Sequence, residues 1–161
     1  MHLPETVLHL RRETPQDREF LARLYRSTRD DLPLLPAAIL ENLLAMQFHA
    51  QQAGHRQQYP DAEFCIIETN REPSGCIAVH RGAEEIRLVN LALLPEVRNR
   101  GHGRSLVRSL QAEADAAGKR LTLSVSSQNA GAQRLYAALG FDIVNDSVTY
   151  REMVWLPQHP S

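Results

Sequence analysis

The feature that most restricts this chain is the turn Arg98-Asn99-Arg100-Gly101-His102-Gly103, set between a strand-like run and the most regular helical pattern in the sequence. Residues 97–112 contain no acidic side chain, while Arg98, Arg100, Arg104 and Arg108 give them four positive charges in a chain whose total is −1. The first N–H groups of a helix lack intrahelical acceptors and sit at the positive end of its dipole, so an anion there gains ~0.3–2 kcal/mol. Gly101 and Gly103 would let a bulky phosphate approach the amides, and glycine admits turn dihedrals closed to other residues. The fold must therefore present a strand, a tight turn and a helix start to a phosphate.

Composition narrows the rest. A chain of 161 residues is read as one domain, 1–161, with a core over 7–156 and a tail at 157–161. Eighteen basic and nineteen acidic residues leave no global field for nucleic acid or an anionic membrane, so any polyanion site is local. Only Lys119 among the basic residues is lysine, so an isolated arginine argues nothing and clustering must carry the case. Cys65 and Cys76 match no metal or redox spacing and lie in apolar runs, and the histidines show no ligand spacing; no metal is expected. No apolar stretch is long enough for a signal peptide or a membrane span, and a reducing cytoplasm fits best.

Periodicity supplies the element order. Residues 7–11 read as a strand; Thr14 and Pro15 open a helix with Phe20, Leu21, Leu24 and Tyr25 on one face. A second helix carries Ile39, Leu40, Leu43, Leu44 and Phe48 and is expected to run out near Gly54. Residues 64–68 and 76–80 form a hairpin about the turn 70–75. In 86–94 the apolar parity slips from Ile86 and Leu88 to Val89, Leu91 and Leu93, which means burial on both faces or a bulge. The helix 101–117 closes at Gly118; residues 121–126 alternate, with Leu121, Leu123 and Val125 inward and Thr122, Ser124 and Ser126 outward. Asn129 opens a last helix ended by Gly140, and strands at 141–144 and 148–155 follow. This order predicts an α/β fold with a mixed sheet.

A Walker loop needs Gly-Lys-Ser/Thr after the turn, but Arg104 and Ser105 follow Gly103; a dinucleotide fingerprint needs a third glycine where Leu106 stands. The spacing Arg-x-x-Gly-x-Gly resembles the acetyl-CoA pyrophosphate loop of the GNAT superfamily of N-acetyltransferases. A second GNAT-like pattern lies 28 positions after Gly101: Asn129, Ala132, Leu135, Tyr136, Gly140 and Phe141. The resemblance covers essentially the whole chain, in motif from Ile86 to Phe141 and in topology before it. It implies a mixed, mostly antiparallel sheet of six to seven strands flanked by about four helices.

The resemblance also implies residue roles. Leu91, Ala92 and Leu93 would offer main-chain groups to the pantetheine arm, bound in a gap between the fourth and fifth strands. The amides of Arg98, Asn99, Arg100, Gly101, His102, Gly103, Arg104 and Ser105 would hold the pyrophosphate. Asn129 and Ala132 fall in the second motif, where Asn129 would touch the pantetheine and Tyr136 would face the thioester sulfur. A fixed donor for the forming oxyanion and an acid for the leaving thiolate are what such a transfer needs, and Tyr136 is the expected acid. Counting back fourteen positions from Gly101, where many relatives place a catalytic Glu, reaches Arg87. Glu85, of the same strand parity and acting through water, is the expected base, with His80 and His49 as other shuttles.

Other residues have plainer readings. Arg104 and Arg108, one turn apart, fit a surface; His102 is expected to face solvent, and His2, His9, His55 and His159 to lie at the surface or in tails. Asp30 and Asp31 could attract a cationic amine, although a charged loop is more often only solvated. The acceptor pocket is expected from 27–36 and 54–60. The apolar strand ending Met153-Val154-Trp155 offers an edge for a homodimer. The function implied is acetyl transfer from acetyl-CoA to an amine of a small molecule or peptide, without a covalent enzyme intermediate. The alternatives are an acyl-CoA-binding module without catalysis, suggested by Arg87, and a nucleotide-phosphate binder using the arginine-glycine turn alone.

Overall fold

The structure, a computed structural model, describes residues 7–29 and 32–158. In chain order it contains β1 (Leu8–Arg12), a 3-10 turn (Pro15–Asp17), α1 (Arg18–Ser27), α2 (Ala37–Gln58), β2 (Glu63–Thr69), β3 (Glu72–Arg81) and β4 (Glu85–Leu93). A second 3-10 turn (Pro95–Val97), α3 (His102–Ala117), β5 (Arg120–Ser126), α4 (Ala130–Ala138), β6 (Asp142–Asp146) and β7 (Tyr150–Trp155) follow. The seven strands form one sheet in the order β1-β2-β3-β4-β5-β7-β6. β4 runs parallel to β5, while β1–β2, β5–β7 and β6–β7 are antiparallel. This is the mixed sheet with four helices that the sequence implies. Contacts divide the chain into two compact units, Met1–Ala78 with Asn90–Arg98, and Val79–Val89 with Asn99–Ser161.

In the first unit, Leu21 and Leu24 of α1, Phe48 of α2, Ile66 of β2, Cys76 of β3 and Leu94 form one apolar cluster. The entry to α1 is fixed by Asp17, which accepts the Thr14 N–H at 2.8 Å and two Arg11 guanidinium bonds at 2.7 and 2.9 Å. The Thr14-Pro15 start therefore lies where expected, but it opens as a 3-10 turn before the α-helix begins.

Two expectations are corrected here. The β2–β3 turn is only Asn70-Arg71, both left-handed with φ 52° and 71°, the geometry of a type I′ hairpin turn. Such a turn matches the strand twist, so pairing extends inward and leaves Ser74 and Gly75 buried in β3 rather than in a loop. α2 does not stop at Gly54 but continues to Gln58. A side chain at Gly54 would meet nothing within 4 Å, so the glycine costs only about 1 kcal/mol of propensity and does not break the helix.

In the second unit, α3 buries Leu106, Val107, Leu110 and Ala114 and ends where predicted, at Gly118 in the left-handed region. The amides of Gly118 and Lys119 there cap the carbonyls of Asp115 and Ala114 at 3.1 and 2.9 Å. The parallel pairing runs from Glu85↔Arg120 to Leu88↔Leu123. On β5, Leu121, Leu123 and Val125 are buried as expected, but so is Thr122, at 3% exposure. Thr122 keeps the parity opposite to Leu121 and Leu123, but its face is covered because Arg87 and Val154 stand abreast of it on the two flanking strands. β7 lies between β5 and β6, with Met153 and Trp155 buried, so it is not the dimer edge the sequence offered. The edge strands are β1 and β6, and all five residues of β6 are exposed. On β4, Ile86 and Leu88 are buried and residues 89–93 are all half-buried, in keeping with burial shared between both faces.

Candidate acetyl-CoA and catalytic site

β4 leads into the arginine-glycine turn through a chain of short bonds: Leu94 N–H to Ser74 O at 2.8 Å, Val97 N–H to Leu94 O at 3.1 Å, and Arg98 N–H to Pro95 O at 3.2 Å. The Arg98 side chain does not reach for a phosphate. Its Nε donates to Leu93 O at 2.8 Å and its Nη2 to Ser27 O at 3.2 Å, so it ties the end of α1 to the end of β4.

Beyond Arg98, Asn99 and Gly101 are both left-handed, with φ 62° and 84°, and helical dihedrals begin at His102. Alternation of this kind turns successive N–H groups toward one concavity. A Cβ on Gly101 would meet nothing within 4 Å, so the concavity is open. Ser105 N–H already serves Gly101 O at 3.0 Å, as Arg98 N–H serves Pro95. Within Arg98–Ser105, the amides that no helical carbonyl can serve are those of His102, Gly103 and Arg104. Arg100, Arg104 and Arg108 are exposed.

His102 corrects an expectation: it is buried, at 8% exposure. As the first residue of α3 it stands four and eight positions before Leu106 and Leu110, on the same inward stripe, so helical phase outweighs its place between two glycines.

Asn129 caps α4, its Oδ1 accepting the Ala132 N–H at 3.0 Å. Tyr136 is the buried residue of α4, while Leu135 and Leu139 are half-buried. Its ring meets the edge of Phe141 with centroids 5.6 Å apart, and burial pushes its hydroxyl up to about 12. The group is thus a protonated donor throughout the neutral range. No hydrogen bond engages that hydroxyl among the described residues.

The expected base, Glu85, is half-buried on β4 and pairs with Arg120 at 3.3 Å. His49 is exposed and His80 half-buried, while His55, read as surface, is half-buried with its pKa lowered by desolvation. Arg87 makes a forked ion pair with Glu152 of β7. Burial, reinforced by Glu13, pushes the Cys76 thiol up to about 12, unlike an activated nucleophile. Asp30, Asp31, His2 and His159 lie outside the described residues.

Sequence reasoning passed over Glu13 and Glu152. Glu13 sits half-buried against Arg56 at 2.5 Å, its pKa raised chiefly by desolvation, beside a surface cavity of about 350 Å³ that Arg56 and Pro60 of the expected acceptor segment 54–60 line but none of the expected catalytic or cofactor-binding residues does. Each is matched to a partner 43 or 65 residues away, a distance at which spacing carries no signal. No group of three His, Cys, Asp or Glu that could hold a metal occurs among the described residues, and no described helix is long and apolar enough to cross a membrane.

The Acetyltransferase (GNAT) family pattern matches residues 21–141. The chain belongs to the GNAT acetyltransferase family. A search of curated protein sequences finds no match. Among solved structures, the PaiA N-acetyltransferase of Thermoplasma acidophilum in complex with coenzyme A is 18% identical, with TM-score 0.70 over 93% of this chain and 99% of that one. An acetyltransferase from Thermus thermophilus is 23% identical, with TM-score 0.67 over 92% and 96%. YncA of Salmonella typhimurium, solved with its cofactor acetyl-CoA, is 18% identical, with TM-score 0.58 over 96% of each chain. At these identities the likeness is one of fold. GNAT proteins use acetyl-CoA and act on amines, and the open amides at the start of α3 suit its diphosphate.

Proposed function

We propose that this chain is an N-acetyltransferase that moves the acetyl group of acetyl-CoA directly to an amine of a small molecule or peptide. The observation that carries the reading is the open, left-handed turn at Asn99 and Gly101 ahead of three unserved helix amides. Amides of Asn99–Arg104 would hold the diphosphate, with Arg100 and Arg104 supplying charge at its rim. Main-chain groups of Leu91–Leu93 would align the pantetheine, and the Asn129 side chain, its Oδ1 already given to the helix, would offer its Nδ2. Acetyl-CoA supplies an acetyl group activated as a thioester. Tyr136 Oη holds the proton the departing sulfur requires, and Glu85, through water, would take the proton the amine loses. The family match spans both compact units, which supports reading 1–161 as one acetyltransferase domain. We further propose a cytoplasmic setting and a homodimer that uses β6, the exposed edge strand beside β7.

Arg87 favours a second reading, an acyl-CoA-binding module that transfers nothing. Thermal unfolding with coenzyme A, combined with thiol release from acetyl-CoA in the presence of amines, separates the two. The transferase is stabilised and releases thiol; a binding module is stabilised and does not. Stabilisation by ATP but not by coenzyme A would contradict both.

A further inference from the structure

We propose that Glu152, presented by Arg87, is the residue that binds the ammonium group of the acceptor. The assignment rests on the transferase reading above and gives that reaction an amine-binding residue.

The argument begins with register. Arg87 on β4 stands abreast of Thr122 on β5, and Glu152 on β7 abreast of Ser124, two residues further along β5. Side chains two apart on a strand share a face, so Arg87, Thr122, Ser124 and Glu152 all project from one face of three neighbouring strands. Arg87 and Glu152 meet over β5 in a fork, Nη1 to Oε1 and Nη2 to Oε2, the latter at 3.2 Å. Two residues back on the same face lies the pair Glu85–Arg120.

Inner strands of a sheet usually carry apolar side chains on a covered face. Here β4, β5 and β7 carry two ion pairs and two hydroxyls, and the face stays open to solvent at Ser124 and at Glu152, whose side chain is 33% exposed. Partly desolvated ion pairs contribute little net stability, so such a face is poorly explained by folding alone. A carboxylate accepts about four hydrogen bonds, and the Arg87 fork occupies one side of each oxygen. The fork orients a carboxylate that stays a third exposed and keeps lone pairs for further donors, which suits a primary ammonium.

Thr122 supplies an independent observation. Its hydroxyl oxygen, on this same face and in the row of Arg87, is buried without a hydrogen-bond partner among the described residues. Such an atom is costly to leave unmet, and a water or ligand N–H at this face would satisfy it. Arg87 thus brings a carboxylate from β7 onto the shared face of β4 and β5.

The test follows thiol release from acetyl-CoA with spermidine, lysine, tyramine and an alanine-initiated tetrapeptide as probes, alongside coenzyme A-induced thermal stabilisation. With whichever probe turns over, Glu152→Gln is expected to raise KM about tenfold or more while kcat changes by less than about threefold and the coenzyme A shift is kept. Glu152→Asp, which keeps the charge but withdraws it by one methylene, is expected to show a smaller rise and decides the matter if the Gln variant does not fold. An unchanged KM in the variants of an active enzyme overturns the assignment and leaves the transferase standing. Loss of the coenzyme A shift with KM unaltered assigns Glu152 to packing and overturns it too. Stabilisation by coenzyme A with no thiol release from the wild type and any probe overturns both.

Discussion

Gly75 on β3 lies so close to the Ala92 carbonyl of β4 that a Cβ built on it would stand 2.3 Å from that oxygen and 2.9 Å from Leu93 Cδ2. Only glycine allows this approach, and the backbone it steadies is the segment proposed to meet the pantetheine. Gly75→Ala must push Ala92 and Leu93 aside; the overpacking is expected to cost about 1–3 kcal/mol in urea unfolding and to diminish thermal stabilisation by coenzyme A. A variant equal to the wild type in both would show that β4 yields freely at this point.

The Arg11 fork holds the Asp17 carboxyl down to about 2, against partial desolvation. A carboxyl depressed in the folded state stabilises fully above its unfolded pKa, near 4, and loses that contribution as pH falls toward 2. The wild type is expected to shed up to about 2 kcal/mol across this window on Asp17's account, less whatever solvent screens at the part-exposed Arg11. Asp17→Asn is expected to be less stable at neutral pH and to show a flatter acid limb in unfolding measured from pH 5 to 2. Parallel acid limbs would remove the fork from the account.

Tyr136→Phe deletes the hydroxyl and keeps the ring against Phe141. The expected result is a loss of about 100-fold or more in kcat with coenzyme A affinity unchanged, measured by thiol release and by titration. Because burial places the Tyr136 hydroxyl near 12, wild-type kcat should show no alkaline fall from this group below about pH 10. Equal losses in turnover and cofactor affinity would make Tyr136 a packing residue.

Arg71 holds φ 71° in the β2–β3 turn, a conformation that costs a non-glycine residue free energy. Arg71→Gly relieves about 1–2 kcal/mol of left-handed strain and loses about 0.5–1 kcal/mol to glycine's greater unfolded freedom, so a small net stabilisation is expected in denaturant titration; destabilisation would show that the Arg71 side chain contributes more than its backbone costs.

What could be read in the sequence follows from the range of the forces involved. α3 was legible from Leu106 to Gly118 because helical phase and a left-handed cap are local, and the Asn129 cap and the Gly101 turn were legible for the same reason. The β2–β3 turn was misjudged because Pro73, Ser74 and Gly75 are turn formers by local preference, while the ladder that recruits Gly75 beside Ala92 forms with a strand many residues later. Thr122 is expected at the solvent from strand parity and His102 from its place between two glycines, yet their burial is set by what flanks a strand or by the phase of a helix. The partner of Arg87 lay 65 positions away on β7, beyond any spacing rule, so the Arg87–Glu152 pair became visible only through the sheet register.

The most direct measurement is a crystal structure of the protein with coenzyme A. It is predicted to show diphosphate oxygens about 3 Å from main-chain nitrogens within Asn99–Arg104, above Gly101. Coenzyme A bound elsewhere, with those amides facing only solvent, would contradict the account.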